Sequence, residues 1–197
     1  MKVLRFFFLV LCIGFALVGC TSSLMQPVST DPTLSYSPAA HEAVVIFMRP
    51  SMFGGAIQSS VFDVTTEENV LVGIVSAKSK VAYRTTPGDH LFMVVGESAD
   101  FMKAELGAGK TYYALVTPRM GLWKARFSLK PIKRGELEGK EFANWESGCS
   151  FYENTDKSYQ WVNENLSSIQ SKRVDDYEEW MSKPEANRPV LREEDGR

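Results

Sequence analysis

Between Ala43 and Ile132 the chain is written as short apolar or alternating runs, each closed by turn residues, and this rhythm restricts the fold most. The candidate strands are Ala43–Arg49, Ala56–Val64, Val70–Ser76, Lys80–Thr85, His90–Gly96, Phe101–Leu106, Thr111–Thr117 and Lys124–Ile132. In the last, Ala125, Phe127 and Leu129 alternate with Lys124, Arg126, Ser128 and Lys130, the period of a strand with one wet face. Thr86-Pro87-Gly88-Asp89 suits a tight turn, with Pro setting φ at the second position and Gly accepting positive φ at the third. Gly107-Ala108-Gly109-Lys110 makes a second one. Short strands at a spacing of about 8–12 residues predict a mainly β fold, a β-sandwich of about seven or eight strands over residues 43–133.

Beyond Arg134 the rhythm changes. Residues 134–154 lack periodicity and read as an irregular connector. Asn154-Thr155-Asp156 can cap a helix, and Tyr159, Val162, Leu166 and Ile169, then Val174, Tyr177 and Met181 after a slip, follow at helical spacing. An amphipathic helix over 155–183 is expected, stopped by Pro184, with Tyr159, Trp161, Tyr177 and Trp180 packed on the sandwich. Residues 184–197 read as a charged, mobile tail. Charge is uneven: Cys20 to Lys133 holds 11 basic and 9 acidic residues, and Arg134 onward 9 basic and 15 acidic. An acidic C-terminal part disfavours nucleic acid as a partner.

The N-terminus carries the parts of an export signal. Lys2 and Arg5 precede an uncharged run from Phe6 to Val18, shorter than the roughly 20 apolar residues a spanning helix needs. The run ends in Leu17-Val18-Gly19-Cys20, which resembles the lipobox of bacterial lipoproteins. That resemblance implies a signal peptide over 1–19, recognised by its peptidase through Leu17, Val18 and Gly19, and a mature chain beginning at an acylated Cys20. Thr21 stands where an aspartate retains such proteins at the inner membrane of enteric bacteria, so the periplasmic face of the outer membrane is the expected address. Residues 20–42, with Pro27, Pro32 and Pro38, read as a flexible tether reaching roughly 25 Å as a coil and roughly 60 Å extended.

Three further pieces carry a family likeness: Arg49-Pro50 closing the opening strand, Pro87-Gly88-Asp89-His90, and Gly109-Lys110-Thr111-Tyr112-Tyr113. With the lipobox, they resemble a family of bacterial lipoproteins that carry a β-rich domain of unknown function. The likeness covers roughly 43–133; Trp161, Asn165 and Lys183-Pro184-Glu185 look like extensions of some members. It implies a sandwich of the prealbumin or immunoglobulin kind and supplies no catalytic residues.

Chemistry-bearing residues are sparse. Gly107-Ala108-Gly109-Lys110-Thr111 ends like a phosphate-binding loop, but Ala104 stands where that pattern needs glycine, and a strand follows where it needs a helix. His41, His90 and Cys149 share no metal-ligand spacing, so neither metal nor cofactor is expected. With Cys12 in the signal and Cys20 acylated, Cys149 is left without an internal disulfide partner, and it could pair with His90 only if the fold brings them together. Glu67-Glu68 and Glu193-Glu194-Asp195 read as solvated carboxylates. Lys124, Arg126 and Lys130, with Trp123 in the preceding turn, form a possible surface contact. The expectation is a membrane-tethered envelope lipoprotein, bound to the bilayer through Cys20, with a non-catalytic module for a ligand or envelope protein. Two alternatives stand beside it: a hydrolase or transferase using Cys149 or carboxylates, and a module binding anionic lipid or glycan.

Overall fold

The computed structural model describes residues 24–28, 36–54, 57–119 and 126–197. Two mixed sheets face each other. The first has the order β1 (Met25–Pro27), β10 (Ser150–Asn154), β5 (Ser79–Thr85), β2 (Ala43–Arg49), β8 (Lys110–Arg119), β9 (Arg126–Pro131). The second has the order β11 (Val190–Leu191), β7 (Ala99–Leu106), β6 (Gly88–Val95), β3 (Ser59–Asp63), β4 (Val70–Val75). All eight expected strands form, and β1, β10 and β11 bring the number among the described residues to eleven.

Strand β2 explains the layering. It pairs antiparallel with β5 and parallel with β8, and all seven of its residues are buried. A strand central to a sheet covered on both faces loses the hydrophobic–polar alternation. Val45 and Phe47 point into the core between the sheets, where Phe47 meets Phe92 edge-on at 5.1 Å. Val44, Ile46 and Met48 point the other way, into a second apolar cluster with Tyr113, Leu115, Phe142 and Cys149. Phe142 comes from α1 (Lys140–Ser147), which covers that outer face.

Both glycine turns join one sheet to the other. Gly88, at φ +124°, carries the chain from β5 to β6, and Gly109, at φ +71°, from β7 to β8. A side chain is strained at such angles, which is why glycine stands there. At the opposite end the wholly buried Arg49 holds the loop after β2. Its guanidinium donates to the carbonyls of Ile57 (2.6 Å), Phe53 (2.9 Å) and Gly54 (2.7 Å) and rests on the Phe127 ring. Met52 and Phe53 stand exposed on that loop.

Helix α2 (Asp156–Ser182) lies on the outer face of the second sheet. Thr155 is its N-cap, and the backbone N–H of Thr155 donates to the Ser158 hydroxyl at 2.9 Å. Val162, Ile169 and Trp180 are buried against the sheet, with Trp161 and Tyr177 beside them. Trp180 packs on Phe101 at 5.8 Å and on Tyr177 at 5.9 Å. The expected single apolar stripe divides here: Tyr159, Leu166, Val174 and Met181 are exposed. Those four lie seven, eight and seven residues apart, an arc displaced around the helix from the residues that meet the sheet.

Three segments depart from the sequence reading. The 134–154 connector contains α1 and β10. Within the tether, Met25 is buried, β1 pairs with β10 in antiparallel register, and Tyr36 stacks on Phe151 at 4.0 Å. Proline is tolerated on an edge strand, so Pro27 does not prevent the pairing. The tail is docked as well. Val190–Leu191 pair with β7, and the backbone of Arg197 exchanges hydrogen bonds with Thr111 of β8, so the last residues bridge both sheets. Glu193 pairs with Lys110 at 3.3 Å, and the buried Asp195 with Lys133 at 2.8 Å. Asp195 is therefore a structural fastener, whereas the Glu193 carboxylate stays largely solvated, as expected.

Candidate functional site

The basic face of β9 is not an open stripe. Arg126 pairs with Glu97 at 3.3 Å and Lys130 with Glu136 at 3.6 Å, which offsets part of their charge. Lys124 and Trp123, and the lipobox residues Leu17, Val18, Gly19 and Cys20, lie outside the described residues. Lys130, however, lines a cleft of about 300 Å³ at the sandwich edge, together with Arg119 from the end of β8 and Lys183 and Arg188 from the segment after α2. One carboxylate lines it: Asp100, its side chain 9% exposed, pairing with Lys183 at 3.3 Å and Arg119 at 3.5 Å.

Four cationic side chains thus line the cleft with one carboxylate, which two of them, Arg119 and Lys183, contact. Arg188 leans over the Trp180 indole at 5.6 Å, and its buried Nε has no hydrogen-bond partner. An unpaired buried donor is costly, by about 1–3 kcal/mol. A phosphate or carboxylate entering the cleft would gain charge-assisted hydrogen bonds from its cationic lining. Chemically the cleft is suited to holding an anion. Asp100 is already engaged by two cations.

The possible catalytic pair is not assembled. Cys149 packs in the cluster under α1, on the outer face of the first sheet, where burial pushes its thiol pKa up. His90 stands on β6 of the other sheet with both ring nitrogens engaged: Nδ1 with Asp63 at 2.9 Å and Nε2 with the Thr86 carbonyl at 2.9 Å. Asp63 also accepts from the Tyr83 hydroxyl at 3.1 Å and the Thr65 backbone at 3.0 Å. Burial alone would lower the His90 pKa, but the hydrogen bonds to Asp63 and Thr86 outweigh it and raise the value. Burial alone would raise that of Asp63, and the bonds from His90 and Thr65 lower it instead. Burial and the neighbouring Asp63 charge push Tyr83 up to about 12.

The cluster is therefore a charged fastener at the end of the sandwich where β5 turns into β6. Its pH dependence follows from those directions. His90, with its raised pKa, stabilises fully below its unfolded value of about 6.5 and loses that contribution as pH rises through the folded value. Asp63, with its lowered pKa, stabilises above its unfolded value of about 3.9 and loses that as pH falls through the folded value. His90→Asn should therefore cost about 2 kcal/mol near pH 5.5, and urea unfolding should show the deficit shrinking toward pH 8.5. A deficit that stays constant or grows with pH would refute a protonated His90.

Sequence inspection finds Lys130 but not its neighbours in the cleft. Arg119 stands at a strand end, Lys183 at a helix end and Arg188 in the tail, each unremarkable alone. Positions so far apart in the chain leave no local signal. No protein-family model matches the chain, and no curated protein is significantly similar to it.

Proposed function

We propose that this chain is an exported lipoprotein of the cell envelope, held on a membrane by acyl chains on Cys20, whose folded part is a non-catalytic module that binds an anionic group. The periplasmic face of the outer membrane is the favoured address. The tether reading rests on the ordered run of charge, apolar segment, small residue and cysteine at the N-terminus. No helix among the described residues is long and apolar enough to cross a membrane.

The single observation that carries the binding reading is the convergence of Arg119, Lys130, Lys183 and Arg188 on one cleft. The ligand group is a phosphate or a carboxylate, carried by a glycan, a lipid or an envelope protein. Inorganic pyrophosphate serves as a probe. Lys183→Gln and Arg188→Ala should each weaken its binding about tenfold, the loss of one charge-assisted contact. Added salt should weaken it further. Asp100→Asn should act in the opposite sense, because it removes the carboxylate that competes for the same cations. Binding that ignores all three substitutions would dismiss the cleft.

A further inference from the structure

The sequence leaves only Thr21, Ser22 and Ser23 between the proposed lipidated cysteine and Leu24, where the described structure begins. Leu24 is pinned: its carbonyl accepts from the hydroxyls of Thr155, at 2.9 Å, and Ser158, both at the start of α2. Four backbone steps span at most about 14 Å. The acyl chains therefore enter the bilayer within a short reach of the first turn of α2, and the long flexible tether expected from composition does not separate domain from membrane.

That placement gives the exposed side of α2 an occupant. Tyr159 follows Ser158 directly, and with Leu166, Val174 and Met181 it forms an apolar line about 33 Å long. Asn163 and Gln170 lie between them on the same face, and neither carries charge. The face looks toward the end of the sandwich at which Leu24 enters. Gln170 accepts from the Asn69 side chain at 2.9 Å, and Arg173 donates to the Thr66 carbonyl at 2.7 Å, both in the turn at that end. The other side of α2 reaches the opposite end, where Lys172 donates to the Gly96 carbonyl at 2.7 Å and Asp176 accepts from the Ala99 N–H at 2.6 Å. Val70, also exposed, opens β4 at the Leu24 end.

We propose that this side of α2 lies in the headgroup–acyl boundary of the bilayer that holds Cys20, so that the domain rests on the membrane surface. The proposal depends on the lipid anchor. Asp156 and Glu178 at the border of this line, Glu164, Asp175 and Glu179 farther round the helix, and Glu67 and Glu68 in the turn at the same end oppose independent binding to an anionic surface. The helix therefore docks only because the anchor places it there. In that pose the cleft at Asp100 and Arg119 opens at the far end, toward the aqueous compartment. Its anion then comes from a molecule other than the anchoring bilayer.

The test uses the full lipidated protein in phosphatidylcholine–phosphatidylglycerol vesicles, in a Cys149→Ser background. Leu166→Cys, Val174→Cys and, on α1, Glu141→Cys each carry an environment-sensitive fluorophore. The proposal expects a blue-shifted emission at 166 and 174 and a strong loss of it with nitroxide-labelled lipids, with little change at 141. If the protein carries its lipid and floats with the vesicles while 166 and 174 respond like 141, the membrane face is wrong and the anchor stands. If mass analysis finds no lipid and the protein does not float, the anchor fails and takes the proposal with it. If 166 and 174 are shielded from lipid quenchers but crosslink between molecules, a second copy covers the face and the proposal is overturned.

Discussion

Replacing Cys20 by Ser should move nearly all of the protein from the membrane fraction to the soluble periplasmic fraction. In the proposed arrangement acyl chains supply the attachment, and each buried methylene contributes about 0.8 kcal/mol. One chain binds only marginally, whereas two or three on one residue make release negligible. The contact proposed for α2 is too weak to replace them, since acidic side chains flank it. Fractionation together with metabolic labelling by a fatty-acid analogue checks both halves of the expectation: labelled, sedimenting wild type and unlabelled, soluble variant. Equal labelling of the two would end the lipoprotein reading. Retention on membranes of an unlabelled variant whose mass shows residues 1–19 removed would mean that the protein surface, and not the lipid, carries the affinity.

Trp180→Ala should be the most damaging single substitution on α2, costing about 3–5 kcal/mol. Its side chain is 1% exposed and joins the last turns of the helix to Phe101 of β7 and to Tyr177. It also supports Arg188, so truncation both opens a cavity and loosens one wall of the cleft. A domain of this size has roughly 5–15 kcal/mol to lose, so chemical denaturation should register a large shift in midpoint. Trp180→Phe is the informative partner. It keeps most of the apolar volume and removes an indole N–H that is buried without an acceptor. The loss should then fall to about 1.5 kcal/mol or less. Equal losses for Ala and Phe would show that a smaller ring cannot fill the site and would overturn the volume argument.

The eight strands of 43–133 were legible because their signals are local. Alternation on β9, continuous apolarity on β2 and glycines at the two positive-φ turns need only neighbours in sequence to be read. The start of α2 at a capping threonine and its stop before Pro184 were legible for the same reason. The side of α2 that meets the sheet was not. Val162 and Leu166 are equally apolar, and only the crossing of the helix over β7, β6 and β4 decides that one is buried and the other exposed.

The remaining elements owe their form to partners far away in the chain. Met25 finds its strand partner at Asn154, Val190 at Lys103, and Arg197 its hydrogen bonds at Thr111. Such short segments have too little propensity to form alone, and their composition, rich in Pro, Ser or charge, argues for loops. The same holds for the cleft: Asp100, Arg119, Lys130, Lys183 and Arg188 sit on four separate stretches and acquire a common chemistry only when those stretches meet. Periodicity, caps and turn residues, which act between neighbours a few positions apart, determined that this chain is a β-sandwich with a C-terminal helix. Which edges are closed, which helix face stays bare and where charge gathers were decided by tertiary packing, because long-range pairing and burial outweigh local preference there.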